Sequence, residues 1–173
     1  MLPLLLTLAM TATTTASDDW YAASGFPQYP SLTPDGSHVM YSDRGDLWSM
    51  PIKGGQPHRL TTHPAEELRS AVSPDGSLLA FSSNRDGITN LYVMPITQRD
   101  GQLVGNGPIR RVTTSDRTQI LSGFSPDGES LLLHAYADPT IYRSPMMYRA
   151  PLDGGPMTRI VDAHGRSPRL SAD

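Results

Sequence analysis

Acidic side chains recur at one kind of position in this chain, where they could serve as proton donors or metal ligands. Each stands between a proline and a glycine, in one Thr-Pro-Asp-Gly and two Ser-Pro-Asp-Gly tetrapeptides. The same residue types suit a type I turn followed by a residue at positive φ. Because one repeated turn explains them more simply than three active sites, we interpret them as structural. The turn residues are Pro34, Asp35, Gly36, Pro74, Asp75, Gly76, Pro126, Asp127 and Gly128.

No other pattern predicts catalysis. The sequence has no Gly-x-Ser-x-Gly elbow, no His-Glu-x-x-His helix, no phosphate loop and no cysteine. Residues 84–90 (Asn-Arg-Asp-Gly-Ile-Thr-Asn) place oxygens around a glycine but lack the acidic spacing of a calcium loop, which favours a hairpin turn. We therefore predict no catalytic residue, no metal site and no cofactor. The histidines, which lack metal-ligand spacing, are His38, His58, His63, His134 and His164.

The turns repeat at the period of a β-propeller blade. The aspartates of successive turns are 40 and 52 residues apart, and a cut-off copy, Ser-Ala-Asp at residues 171–173, follows after 46 more. Such a period, about 40 to 50 residues, is typical of one four-stranded blade. We predict an all-β partial β-propeller with three four-stranded antiparallel blades and the first strand of a fourth.

Hydrophobic runs between the turns predict the individual strands. The third strands align at residues 47–52, 91–96 and 147–152 as apolar, aromatic, variable, apolar, proline, apolar. We expect each proline where its strand leaves its pairing, and the aromatic residues between blades. Gly54 and Gly55 predict a two-residue hairpin. The predicted strands are 28–32, 39–42, 46–52 and 56–61 in blade 1; 68–72, 78–82, 90–96 and 109–113 in blade 2; 120–124, 131–135, 146–152 and 157–161 in blade 3.

The N-terminus predicts export. An apolar run at residues 2–10 is too short for a membrane span and is followed by a small-residue site at 14–16. We expect a signal peptide cleaved near Ala16, a periplasmic or secreted location and no membrane span after cleavage. No Lys or Arg precedes the run, which leaves a buried strand or a misassigned start as alternatives. The predicted division is signal peptide 1–16, linker 17–27, blades 28–63, 64–115 and 116–163, and the start of a fourth blade at 164–173.

The net charge and two insertions in the sequence indicate which kinds of partner to expect. The net charge is −3 and the 14 Lys and Arg residues are dispersed, which disfavours nucleic acid. Insertions at residues 97–108 and 136–145 are where binding residues would concentrate on a rigid scaffold. The second carries a possible binding loop of Tyr136, Tyr142 and Arg143, with a solvated loop as the alternative. We predict a protein or peptide partner, and self-association through open blade faces.

The repeat motifs add a family resemblance. The turns, residues 81–87, residues 91–95 and the pair Arg59-Leu60-Thr61 and Arg111-Val112-Thr113 resemble the WD-repeat-like blades of TolB and of tricorn-like serine peptidases. Residues 45–64 look most like a tricorn-like first blade. That resemblance implies a non-catalytic propeller that gates or recruits substrates, with a serine peptidase domain downstream. A TolB-like periplasmic binding propeller and the propeller of a prolyl-oligopeptidase-like hydrolase are the alternatives. TolB carries a small α/β domain before its propeller, whereas the predicted blade 1 begins almost directly after the predicted signal peptide, so we expect the chain not to be TolB itself.

Overall fold

The computed structural model describes residues 26–136 and 145–171, and every regular element in these ranges is a β-strand. They form three antiparallel sheets, in the orders β1-β2-β3-β4, β5-β6-β7-β8 with β9 also on β7, and β10-β11-β12-β13. The prediction of an all-β partial propeller is confirmed. The strands are β1 (Gln28–Leu32), β2 (His38–Asp43), β3 (Asp46–Pro51), β4 (His58–Arg59), β5 (Glu67–Val72), β6 (Leu78–Ser83), β7 (Asn90–Arg99), β8 (Gln102–Gly105), β9 (Arg110–Arg111), β10 (Gln119–Phe124), β11 (Ser130–Ala135), β12 (Met146–Pro151) and β13 (Thr158–His164).

The outer parts of the blades differ most from the prediction. The insertion at residues 97–108 is itself a hairpin, because β7 continues to Arg99 and pairs with the additional strand β8. Pro95 marks the change of partner, since the residues before it pair with β9 and those after it with β8. The buried side chain of Leu103 anchors this hairpin to the core between blades 1 and 2. Blade 2 therefore has five strands.

The double glycine does not make the predicted two-residue hairpin. Gly54 and Gly55 do have positive φ, 88° and 141°. The last paired residues of β3 and β4, however, are Ser49 and His58. Pro51 and Pro57 flank the turn and have no N–H to donate, so they cannot extend the ladder. The outer strand of blade 1 is consequently only two residues long.

Blade 2 is buried on both faces. Alternate residues of β6 point to opposite sides of the sheet. Leu79 and Phe81 join the core that contains Met40 of blade 1. Ala80 joins the core that contains Leu131 of blade 3. This arrangement explains why the sequence of β6 is almost continuously apolar.

The first strands of the three blades lie side by side. β5 contacts β1 on one side and β10 on the other. The Ser31 hydroxyl on β1 donates a hydrogen bond to the Ser70 carbonyl oxygen on β5 at 2.9 Å. Each strand also has an irregular register with its neighbour in the sheet, which marks a β-bulge. These inner strands form the wall on which the candidate site depends.

Candidate functional site

The repeated turns are held by a short side-chain network. In blade 2, the Ser73 hydroxyl donates to Asp75 Oδ1 at 2.5 Å, and the Ser77 N–H donates to the same oxygen at 3.1 Å. The Gly76 N–H closes the turn on the Ser73 carbonyl oxygen at 2.8 Å. Gly76 has φ of 76°, a value that disfavours any residue with a Cβ. Blades 1 and 3 repeat this network.

These hydrogen bonds keep the turn aspartates ionised. The Thr33 hydroxyl, followed by the N–H and hydroxyl of Ser37, lowers the pKa of Asp35 to about 2. The Ser73 and Ser77 hydroxyls and the Ser77 N–H lower the pKa of Asp75 to about 2. A carboxylate that is charged down to such pH is a poor general acid near neutrality. The geometry agrees with a turn-stabilising role.

The inner strands carry a repeated bulge at their centre. Tyr29 on β1 and Arg69 on β5 each lie six residues before a turn aspartate and each has φ of 53°. Ser167, in the segment after blade 3, has the same φ. The Arg69 guanidinium lies 4.4 Å from the ring centre of Tyr29, so the bulges of blades 1 and 2 touch through a cation–π contact. These bulges could not be expected from the residue types, because neither Tyr nor Arg favours positive φ.

Hydrogen bonds from the second strands latch one blade to the next. Ser82 Oγ accepts the N–H of Leu121 at 2.9 Å, which joins blade 2 to blade 3. His134 Nδ1 accepts the N–H of Ser167 at 3.4 Å, which joins blade 3 to the segment after it. Ser42 is the equivalent residue of blade 1, seven residues after the turn aspartate. Its hydroxyl has no hydrogen-bond partner among the described residues.

His134 occupies its latch position in the neutral form. Its side chain is 5% exposed. Burial, followed by the positive charges of Arg69 and Arg166, lowers the pKa of His134 from 6.5 to about 4. A neutral imidazole has one ring nitrogen free to accept a hydrogen bond, as Nδ1 does here.

A groove of about 550 Å³ runs along the inner strands near the turns. Leu32, Ser70 and Ser122 come from successive inner strands, and Arg169 and Leu170 extend its lining past blade 3. Arg169 is fixed by a hydrogen bond of 2.5 Å from Nη1 to the Ser122 carbonyl oxygen. The missing side chain of Gly123 leaves room for this contact, since a Cβ there would lie 2.6 Å from Nη1.

A second cavity, of about 640 Å³, opens between blades 1 and 2 at the opposite end of β2. Its polar lining includes Ser42, Asp46 and Arg59, and its apolar lining includes Phe26 and Leu68. Asp46 is 6% exposed; its Oδ2 accepts a hydrogen bond from Arg59, whereas its Oδ1 has no partner among the described residues. We name this space the blade 1–2 cavity.

Of the three predicted binding-loop residues, Tyr136 alone lies in the part of the chain that the structure describes. Tyr142 and Arg143 lie outside the described residues, as does the predicted signal peptide. The Tyr136 hydroxyl accepts a hydrogen bond of 2.9 Å from Arg166. Within residues 26–136 and 145–171, no three His, Asp or Glu side chains are grouped to hold a metal ion. The same residues contain no helix of the length and apolarity needed to cross a membrane.

Comparison with known proteins identifies the family. Residues 24–173 match the family described as the tricorn protease N-terminal beta propeller domain. The chain belongs to this family. Over 141 residues the propeller is 33% identical to Tricorn protease homolog 1 of Streptomyces coelicolor. That match covers 80% of the chain but only 12% of the length of the relative.

Solved structures share the fold of the tricorn-type propeller. The crystal structure of the tricorn protease superposes with a TM-score of 0.63 at 20% identity, over 87% of this chain and 14% of that one. TolB from Acinetobacter baumannii superposes with a TM-score of 0.58 at 20% identity, over 78% and 32% of the two chains. The resemblance to both kinds of propeller is confirmed. At such identities the likeness describes the fold and not the activity.

Sequence analysis missed the polar residues that line the blade 1–2 cavity of the tricorn-type propeller. It assigns Ser42 and Asp46 only to the predicted strands 39–42 and 46–52. The aspartates of the repeated turns drew attention instead, although their oxygens are engaged locally. The one available signal was the repeat itself, because Ser42, Ser82 and His134 share a repeat position and a polar side chain there is unexpected in a buried strand.

Proposed function

We propose that this tricorn-type propeller is a non-catalytic module of an exported tricorn-like peptidase, and that it gates peptides on their way to the active site. The observation that carries the proposal is the row of inner strands, β1, β5 and β10, with the 550 Å³ groove along them. A rigid wall of neighbouring strands can limit the width of whatever passes it without itself changing shape.

The bulges in the inner strands favour passage of a peptide along the groove over tight binding of the peptide. β1, β5 and β10 are the edge strands of their sheets. A regular edge strand would offer a row of unpaired N–H and C=O groups, on which an extended peptide could add as a further strand. The bulges interrupt that row in each inner strand. A peptide in the groove therefore meets side chains and not a continuous template.

Narrowing the groove tests the gate. Leu32 lines it and is 60% exposed, so Leu32→Trp adds bulk there without disturbing a core. Ile52 is 52% exposed and is not among the groove's lining residues, which makes Ile52→Trp the matched control. In the full-length protein, Leu32→Trp should slow hydrolysis of long peptides by about threefold or more and leave dipeptide substrates unaffected. Equal rates on long peptides for the two variants would refute the gate.

Export has its own test. The proposed signal peptide comprises residues 1–16, so the mature chain would begin at Ser17. Sequencing the N-terminus of the protein recovered from its native cells should return Ser17 or a residue next to it. Recovery of Met1 from the cell interior would overturn the export part of the proposal and leave the gating part standing.

A further inference from the structure

The groove along the inner strands has one charged side chain among its described lining residues. That side chain is Arg169, which is exposed, whereas the other lining residues are apolar residues, serines, prolines and a glycine. No carboxylate in the described part of the chain forms an ion pair with Arg169. A guanidinium without a counter-ion, placed among uncharged groups, attracts an anion.

The position of this guanidinium is fixed by the backbone of β10. Arg169 Nη1 donates to the Ser122 carbonyl oxygen at 2.5 Å, and a Cβ on Gly123 would lie only 2.6 Å from the same nitrogen. A guanidinium has five N–H donors. The bond to Ser122 is the one hydrogen bond that the described residues make with Arg169, so Nε and Nη2 remain available. Donors that are already oriented bind a ligand at a smaller entropic cost.

Two further arginines add positive charge beside the inner strands. Arg69 on β5 and Arg166 both lie close enough to His134 for their charges to lower its pKa. The Arg69 guanidinium contacts the ring of Tyr29, and Arg166 donates to the hydroxyl of Tyr136. Both of these partners are uncharged side chains. Within the described residues, neither arginine is neutralised by a carboxylate.

The carboxylates of the neighbouring segments do not line the groove. Glu67 is the one acidic residue of β1, β5 and β10, and it is fully buried in an ion pair. Asp35 and Asp75 line a separate cavity of about 200 Å³ beside the hairpin of β7 and β8. Asp127 pairs with an arginine of β12 at 3.1 Å. The charge that a ligand meets inside the groove is therefore positive.

The lining also offers apolar surface to the rest of a ligand. Leu32 is 60% exposed and Leu170 is 41% exposed, and Phe124 is partly buried beside them in the lining. A peptide can therefore place apolar side chains on the groove while one carboxylate reaches Arg169. An acidic side chain supplies that carboxylate at any point of a passing peptide, whereas the C-terminus supplies it only at the end.

We propose that the groove along the inner strands selects peptides in which an acidic side chain stands next to apolar ones, and that Arg169 binds the carboxylate. Nε and Nη2 of Arg169 form a fork that can donate to both oxygens of a carboxylate. This inference rests on the proposed function, because it names the class of peptide that the gate favours.

Four acetylated peptides test the preference. Acetyl-Ala-Leu-Glu-Leu-Ala-amide carries one side-chain carboxylate, and two further amides have Gln or Lys in place of Glu. The fourth peptide has Gln and a free C-terminal carboxylate. In calorimetric titration into the 173-residue chain, the Glu peptide should bind about tenfold more tightly than the Gln amide, and the Lys peptide most weakly. A Glu peptide that binds no better than the Gln or Lys amide would overturn the inference, as would a free C-terminus that binds more tightly than Glu.

Arginine variants locate the contact. Arg169→Met removes the guanidinium and keeps an unbranched stem, so the preference for the Glu peptide over the Gln amide should disappear while the Gln amide binds as before. Arg169→Lys keeps the charge without the fork and should retain a preference of about threefold. Arg99→Met is the matched control and should keep the full preference, because Arg99 is exposed on β7 and is not among the groove's lining residues.

Three results would overturn the role of Arg169. The preference could survive Arg169→Met, or Arg99→Met could remove it equally. Arg169→Met could also abolish binding of both peptides, which would mean that the side chain shapes the groove and does not select the carboxylate.

The outcomes also separate this inference from the proposed function. Equal binding of the Glu, Gln and Lys peptides would remove the acidic preference and leave peptide gating standing. A preference that requires Arg169, together with equal rates on long peptides for Leu32→Trp and Ile52→Trp in the full-length protein, would remove the gate and leave the carboxylate site.

Discussion

At the scale of single residues, the hydroxyl that begins each turn does more than the sequence suggests. Ser73 Oγ donates to Asp75 Oδ1 and accepts the N–H of Leu78 at 2.9 Å. The hydroxyl therefore connects the turn to the first residue of β6. Ser73 is buried, with 2% of its surface exposed. Thr33 and Ser125 act in the same way in blades 1 and 3.

Removal of this hydroxyl should destabilise the fold. Ser73→Ala leaves the Leu78 N–H without its acceptor and Asp75 without its shortest hydrogen bond. We expect the free energy of unfolding to fall by about 1–2 kcal/mol in urea denaturation. Ser73→Thr is the control, because Thr33 already serves at this position in blade 1. An equal loss for the threonine variant would mean that the hydroxyl is not the cause.

The latch histidine predicts a pH dependence of stability. The folded-state pKa of His134 is about 4, below its ordinary value of 6.5. The unfolded chain therefore binds the proton more readily between pH 6.5 and 4, and stability contributed by neutral His134 is present above pH 6.5 and lost as the pH falls towards 4. The expected loss by pH 4 is about 3 kcal/mol, because each unit of pKa difference between the folded and unfolded states is worth about 1.4 kcal/mol.

A variant isolates this contribution. His134→Ser should remove this part of the slope of unfolding free energy between pH 6.5 and 4, since serine accepts a hydrogen bond at the equivalent position of blade 2 without titrating. Asp35 and Asp75, with pKa values of about 2, stay charged through most of this window. Guanidinium denaturation at several pH values gives the slopes. The idea fails if the two proteins have the same slope.

At the scale of strands, the sequence predicted the strands whose positions depend on local hydrophobic patterns. The second strands were placed to within one residue at each end, because their apolar runs are long and are bounded by turns. The strand β8 was missed, since it is only four residues long and Leu103 is its only buried apolar residue. The bulges at Tyr29 and Arg69 could not be predicted, because packing of one inner strand against the next imposes them.

A buried ion pair joins two elements of blade 2. Glu67 on β5 is fully buried and pairs with Arg85, which follows β6. The Arg85 guanidinium also lies 5.3 Å from the ring centre of Phe81 and 4.9 Å from that of Tyr92. Blade 3 has Gln119 at the position equivalent to Glu67, eight residues before the turn aspartate. The blade architecture therefore accommodates a neutral residue at this point.

A double-mutant cycle should show that Glu67 and Arg85 are energetically coupled. Arg85→Met alone should cost about 3–5 kcal/mol, because it leaves the buried Glu67 carboxylate without its counter-ion. Adding Glu67→Gln should restore most of that loss, since it removes the isolated charge and installs the residue type of blade 3. Thermal or urea unfolding of the two single variants and the double variant measures the coupling. Strictly additive losses would show that the pair is not energetically linked.

At the scale of the whole molecule, blade 1 has a face that no described strand covers. Met40 and Leu47 point towards blade 2, so the alternate residues of β2 and β3 point away from it. Val39 opposite Met50, and Tyr41 opposite Trp48, form two cross-strand pairs on that side. The indole Nε1 of Trp48 is buried without a hydrogen-bond partner in the described part of the chain. This face resembles the inside of a blade interface.

The open face predicts self-association of the 173-residue chain. Val39, Trp48 and Met50 are partly exposed on this face, so burying them against a second copy removes apolar surface from water, at about 25 cal/mol per Å². Met50→Lys should raise the dissociation constant at least about tenfold, because the interface would have to desolvate an unpaired ammonium group. Ile88→Lys is the control, since Ile88 is 42% exposed on a turn of blade 2. Sedimentation equilibrium over a range of concentrations measures both. The prediction would be contradicted by a chain that stays monomeric throughout, or by a control variant that dissociates as readily as Met50→Lys. Either result would show that this face of blade 1 is stable in water. The cross-strand pairs would then stabilise the face without a covering blade.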